Sequence, residues 1–267
     1  MGTDASEASP PEATVISNRF IRTRNVLLSE VDCGPLFRVL DAHRERNGIE
    51  FPERVDAIFR ALLAAFTLHC AARPRNEVLA WTVRYGDPVV SLFFGGDTEV
   101  GSVVGRYFDQ HVKKEKTGEF HQELHRLNRD PHISMVPFSG TSAREAVHEF
   151  YQQSEQRPAY FFDMGGDHYA LASAHPDYDE GWFTHLDIET IRNIDSQETV
   201  NLLETRSAYW LCGCSEEKIY EMLTPVMKRD PAAIFGDSDS ANVNCPRCNA
   251  NYRIDRDALA QRASSEG

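Results

Sequence analysis

Two pairs of closely spaced cysteines constrain this chain more than any other feature: Cys212-Gly213-Cys214 and, after thirty intervening residues, Cys245-Pro246-Arg247-Cys248. The segment Met1 to Ala13 lacks the basic and apolar regions of a signal peptide. Four thiols in two tight pairs then point to a tetrahedral structural metal or to a regulated disulfide system. Two residues between Cys245 and Cys248 let both sulfurs turn onto one ion. The first pair has only Gly213 between its thiols, so the chain must fold back sharply, and glycine tolerates the backbone angles of such a reversal. The bland alternative, four buried or free cysteines, needs two such motifs to coincide by chance.

The spacing also bears on redox behaviour. A disulfide between thiols two or three residues apart closes a very small ring, and strained, exposed disulfides are the readily reduced, regulatory kind. Zinc would hold all four sulfurs as thiolates, the form that reacts with oxidants. One site can therefore serve as staple and as switch.

A chain of 267 residues accommodates one large domain and a small one, or two of medium size. Its 28 Lys and Arg against 41 Asp and Glu leave a net charge of −13, which argues against a nucleic-acid partner. The same charge suits a protein that must at times expose apolar surface without precipitating. The most apolar uncharged run, Ala61 to Ala72, is too short to span a bilayer, so no membrane partner is expected and the chain reads as cytoplasmic. Gly2 with Ser6 fits the loose myristoylation pattern only formally. No phosphate loop, nucleophile elbow or dinucleotide fingerprint occurs, and a fully thiolate-ligated zinc keeps no open position for catalysis. No enzyme activity, and no cofactor beyond zinc, is expected.

Periodicity supplies the elements. Phe20 to Glu30 reads as a first strand, and Cys33 to Ala42 as a helix. The clearest helix is Glu53 to Ala72, where Val55, Ile58, Phe59, Leu62, Leu63 and Phe66 form one apolar stripe suited to core packing. His69 and Cys70 end that stripe. Glu77 to Tyr85, Pro88 to Phe94 and Val100 to Phe108 read as a strand meander. Lys113 to Lys116 reads as a solvated loop, and His121 and His125 fall on one face of a helix, without the metalloprotease order or a third ligand. His132 to Phe138 reads as a further strand. Ser142 and Glu145 have capping-box spacing ahead of a helix, and strands follow at Ala159 to Met164 and His168 to Ala174. Ile188, Ile191 and Ile194 recur at helical intervals. Ser215 caps a helix whose apolar face is Ile219, Met222, Leu223, Val226 and Met227, with Pro225 expected to break or kink it. Cys33 and Cys70 match no ligand motif and read as spectators.

Two stretches carry a family resemblance. Cys212-Gly-Cys-Ser215, the Glu/Lys-rich segment after it, and Cys245-Pro-Arg-Cys-Asn-Ala-Asn-Tyr252 with Ile254 and Asp257-Ala-Leu259 resemble the C-terminal redox domain of the Hsp33 chaperones. Phe150-Tyr-Gln-Gln-Ser-Glu-Gln-Arg-Pro158 resembles the signature of that family's core domain.

The resemblance implies an α+β fold: a core domain of mainly antiparallel sheets packed with helices, a linker, and a small C-terminal zinc-binding domain. The corresponding boundaries are a disordered tail over 1–14, a substrate-binding and dimerisation core over 15–185, a helical linker over 186–209, a redox-switch domain over 210–260, and a tail over 261–267. It further implies an ATP-independent holdase that is inactive when reduced and holding one zinc per chain on Cys212, Cys214, Cys245 and Cys248. Oxidation would release zinc and form the disulfides Cys212–Cys214 and Cys245–Cys248. A homodimer exposing apolar surface to unfolded proteins would result. Only Glu204 to Leu211 separates the last apolar turn from Cys212, shorter than the family's linker. Two further readings stand beside this one: a diverged member that keeps zinc without redox control, and a zinc-ribbon interaction module that does not switch.

Overall fold

The computed structural model describes residues 12–110, 112 and 117–265. Most of the expected N-terminal tail, the myristoylation pattern and the run Lys113 to Lys116 lie outside them. In chain order the elements are β1 (Thr14–Ile21), β2 (Val26–Asp32), α1 (Gly34–Asn47), α2 (Glu53–Ala71), β3 (Glu77–Gly86), β4 (Val89–Asp97) and β5 (Ser102–Phe108). Then come β6 (Gly118–Arg126), β7 (His132–Phe138), α3 (Ala143–Gln153), β8 (Ala159–Gly165), β9 (His168–Ala174), α4 (Glu180–Thr184), α5 (Ile188–Arg192) and α6 (Ile194–Gln197). The chain closes with β10 (Val200–Trp210), α7 (Glu216–Arg229), α8 (Ala232–Phe235), β11 (Ser240–Asn244), β12 (Asn251–Asp255) and α9 (Arg256–Ser265).

These elements divide into two compact units. The first comprises the described residues up to Ala42 together with Phe51–Leu211; the second comprises His43–Glu50 and the described residues from Cys212 onward.

The first unit is built on one ten-stranded sheet in the order β7-β6-β3-β4-β5-β10-β1-β2-β9-β8. All neighbours are antiparallel except β5 and β10, which pair in parallel through Tyr209 with Ser102 and Trp210 with Val103. β10 thus joins two antiparallel halves. Gly101 sits where it passes: its φ is +73°, and a side-chain carbon there would lie 2.2 Å from the Ser207 carbonyl oxygen. Only glycine fits.

The α2 stripe is the centre of this unit's core, with Phe59, Leu62, Leu63 and Phe66 fully buried. Phe66 meets Trp81 edge-on at 5.1 Å, Trp81 meets Phe120 at 4.8 Å, and Phe120 stacks on Phe150 at 4.5 Å. The Ser142 capping box at the start of α3 forms as the spacing predicts. The Phe150 to Pro158 segment is a structural corner. Phe150 and Tyr151 are fully buried, Ser154 Oγ bonds Ser134 Oγ at 2.8 Å, and Arg73 binds Glu155 at 3.1 Å. Tyr151 also bonds His69 Nδ1 at 2.7 Å, and His69 Nε2 meets Gln122 Oε1 at 3.1 Å. Burial, helped by Arg73, holds His69 well below its ordinary pKa, so the ring stays neutral in the core.

The second unit pairs β11 with β12 as an antiparallel hairpin and packs α7, α8 and α9 around it. Its core is Ile219, Tyr220, Phe235, Ile254 and Leu259, with Leu223, Met227, Tyr252 and others partly buried around them.

Five local expectations change. Phe20 to Glu30 is not one strand: the chain turns at 22–25, with Asn25 at a φ of 51°, so β1 and β2 pair with each other. His121 and His125 lie on β6 rather than a helix, because β6 is enclosed between β3 and β7. Helical periodicity holds only for the short α5 and α6; from Val200 the chain is the strand β10, whose ladder with β1 outweighs its weak helical pattern. Pro225 does not end α7, since the exposed turn around it leaves the carbonyl it cannot bond open to water. Beyond Gln261 the helix α9 continues to Ser265.

Candidate metal centre

The centre is assembled from two chain reversals in the second unit. At the first, Gly213 adopts a φ of +67° between Cys212 and Cys214. Ser215 then caps α7 by accepting a hydrogen bond from the Lys218 backbone N–H, and Lys218 Nζ returns to donate to the Gly213 carbonyl at 2.6 Å. At the second, the turn between β11 and β12 is closed by Cys245 N–H to Ala250 O at 2.8 Å and Asn249 N–H to Cys245 O at 3.0 Å. Asn249 takes a φ of 63°, a left-handed position that asparagine tolerates better than most side chains. Asn244 locks the same turn, donating to Asn249 Oδ1 and accepting from Asn251 Nδ2, both at 2.9 Å.

These reversals bring together all four cysteines named from the sequence. Their sulfurs lie within 4.8 Å of one another, with Cys212 to Cys245 at 3.6 Å and Cys214 to Cys248 at 3.5 Å. A regular tetrahedron of sulfurs about 2.3 Å from one zinc has edges of about 3.8 Å. The donor set fits a single soft divalent ion. Cys245 and Cys248 are buried, while Cys212 and Cys214 are half-buried.

Electrostatics make the same point. Hydrogen bonds from Cys212 and Cys248 hold the Cys245 thiol far below its ordinary value, while its neighbours move up: Cys212 rises to about 12 through its hydrogen bond to Cys245, and Cys248 rises through its bonds to Cys212 and Cys245. Four thiolates at this spacing need a cation among them.

The turns are held from outside as well. Arg247 Nη1 donates to the Cys212 carbonyl at 3.4 Å, and the His43 ring Nε2 donates to the Cys248 carbonyl at 2.8 Å. Asn251 N–H donates to Asn47 Oδ1 at 3.0 Å. Sequence reasoning passed over His43, Asn47 and Lys218. Nothing in the spacing of His43 and Asn47 ties them to residues some two hundred positions away. Lys218 alone carried a signal, as a cation one turn into a helix that starts at the cysteine pair.

The remaining candidates stay apart. Cys33 and Cys70 are buried in the first unit, and burial raises both thiols far above their ordinary value, so neither is a ready nucleophile. Among the described residues, the four-cysteine cluster is the one group of three or more His, Cys, Asp or Glu side chains placed to hold a metal, and His121 and His125 form no such group. No helix of the described residues is long and apolar enough to cross a membrane.

Fold and site together define a two-unit α+β protein with a four-thiol, metal-type centre in its C-terminal unit. Comparison with known proteins agrees. The family model of the Hsp33 protein matches residues 170–255. A 33 kDa chaperonin from Methylobacillus flagellatus is 25% identical over 148 residues, 47% of this chain and 50% of that protein. One from Vibrio vulnificus is 21% identical over 252 residues, 81% of this chain and 87% of that protein. The crystal structure of a 33 kDa chaperonin, an Hsp33 homologue from Thermotoga maritima, superposes with a TM-score of 0.70 at 14% identity over 95% of this chain and 98% of the other, a match in fold. In sequence the chain is similar to the Hsp33 family and to proteins named 33 kDa chaperonin, and in fold to an Hsp33 homologue.

Proposed function

We propose that this chain is a redox-regulated, ATP-independent holdase that binds unfolding proteins. The observation that carries the reading is the convergence of Cys212, Cys214, Cys245 and Cys248 within 4.8 Å. In the reduced state these residues would hold one zinc ion, which supplies the charge that lets all four remain thiolates. That state is the inactive one.

The switch uses a peroxide as oxidant. A thiolate attacks one peroxide oxygen, the O–O bond breaks, and a sulfenic acid and hydroxide form. A neighbouring thiolate then attacks that sulfur, the S–O bond breaks, and a disulfide and a second hydroxide result. Two sulfurs have lost two electrons and one peroxide has gained them. A second round consumes the other two thiolates and leaves no ligand for the ion. Family resemblance pairs Cys212 with Cys214 and Cys245 with Cys248. The sulfur contacts of 3.6 Å between Cys212 and Cys245 and of 3.5 Å between Cys214 and Cys248 run across those pairs, so peptide mapping of the oxidised protein decides the connectivity. Loss of the ion would loosen the second unit, uncover apolar surface and favour an active homodimer in the cytoplasm.

A second reading has its own support. The second unit has an apolar core independent of its sulfurs, and β10, directly ahead of Cys212, is laddered to β1 along its length. Both features resist unfolding and suit a diverged member that keeps its metal without a switch.

One experiment separates the two. Peroxide with mild heat is expected to release about one zinc per chain, the capacity of a four-thiolate site. The same treatment should switch on suppression of client aggregation by light scattering, and a thiol reductant should reverse both. Zinc release without any gain in suppression would establish the diverged reading.

A further inference from the structure

The sulfurs of the centre differ in what they receive. The Tyr252 hydroxyl donates to Cys214 Sγ at 3.1 Å, while the Arg247 backbone N–H donates to Cys245 Sγ at 3.4 Å. Tyr252 lies on β12 opposite Val243 of β11, and its ring packs against the core of the second unit. The strand and the ring contacts hold the hydroxyl in place. A phenylalanine would keep that packing and donate nothing, so packing alone does not account for the oxygen.

We infer that Tyr252 is a positioning residue that sets how readily the centre opens to oxidant. The inference rests on the proposed ligation of a metal by the four cysteines and extends it. A hydrogen bond to a thiolate draws on the lone pairs that would otherwise attack peroxide, and it fixes the direction in which Cys214 presents its sulfur. The bond thus slows the first oxidative step at Cys214, in which the sulfur gives two electrons to peroxide and becomes a sulfenic acid. It also steadies the sulfur toward the ion. Partners of metal ligands commonly change affinity by about 10- to 100-fold when removed.

The test is Tyr252→Phe in the full chain, with Tyr220→Phe as control. The Tyr220 hydroxyl belongs to the same core but lies 3.5 Å from the Asp255 backbone N–H and bonds no sulfur. Zinc release under peroxide is followed with a chromophoric chelator, and the cobalt-loaded protein gives the sulfur-to-metal charge-transfer band. Tyr252→Phe is expected to release zinc about threefold faster for each tenfold rise in thiolate basicity and to bind zinc roughly tenfold more weakly. Its charge-transfer band should move to lower energy while the bands of tetrahedral cobalt stay in place, and Tyr220→Phe should match the parent on all counts.

An unshifted charge-transfer band with an unchanged release rate would overturn the inference. So would faster release in both variants with the band unmoved, which is the mark of simple loosening. The readouts do not use chaperone activity. A parent protein that releases zinc yet protects no client refutes the holdase reading and leaves the Tyr252 result standing, whereas a parent that binds neither zinc nor cobalt refutes both.

Discussion

The two units solve the same problem with different means. The first has a ten-stranded sheet, a fully buried helical stripe and a chain of interlocking aromatic rings. Its stability comes from apolar burial, which does not depend on a metal or on thiolates. The second has a core cluster of five buried apolar side chains and four sulfurs. In a unit that small, burial offsets only part of the entropy lost on folding. On the proposed reading the sulfurs supply the rest, on the order of 10–16 kcal/mol if they hold zinc at neutral pH. On that reading, chemical change at one point unfolds one unit and spares the other.

Substitutions probe that contrast most strongly at the sulfurs. Cys245→Ser should remove a buried ligand and most of the metal-derived stability. The segment 212–265 is then expected to become protease-sensitive while fragments of the first unit persist on a gel; equal loss of both would dissolve the distinction. Phe150→Ala is the mirror image. It removes a ring between Trp81 and Phe120, and should cost about 3–5 kcal/mol in chemical denaturation of the first unit. Zinc release under peroxide should be unaffected.

A smaller effect is expected at Glu77, which accepts from Arg73 Nε at 2.6 Å and from Arg126 Nε at 2.7 Å. Burial alone would raise this carboxyl, but the two guanidinium groups outweigh it and hold its pKa below the ordinary 4.5. A depressed native value means the contribution is fully present above the ordinary pKa and is lost as pH falls through the native one. Glu77→Gln should thus cost about 1–3 kcal/mol at neutral pH and flatten the acid limb of the stability profile. An unchanged acid limb would show that the pair contributes nothing to folding. Ser142→Ala is the mildest, about 1 kcal/mol through the lost cap of α3, read as a shift in denaturation midpoint with no change at the centre.

How much the sequence disclosed follows the same division. The centre was readable because its information is local: thiols two or three residues apart, and a glycine between the first two, dictate a converging geometry almost alone. The α2 stripe and the Ser142 cap were readable for the same reason. What stayed hidden depends on distant pairing. Val200 to Trp210 becomes a strand because β1 and β5 flank it, and no window around Val200 contains that fact. The Tyr252 hydrogen bond and the His43 contact join residues 38 and 205 positions apart from the cysteines they serve. Tyr252 belongs to the Cys245–Tyr252 motif, but its role depends on the hairpin register.

The central claim is that an ion on four sulfurs keeps the second unit folded. Amide hydrogen exchange before and after peroxide, on the zinc-loaded chain, tests it most directly. The account predicts that protection collapses across 216–259 while α2 and β3 keep theirs, and that reductant with added zinc restores it. Undiminished protection of α7 and β12 after the zinc has left would contradict it.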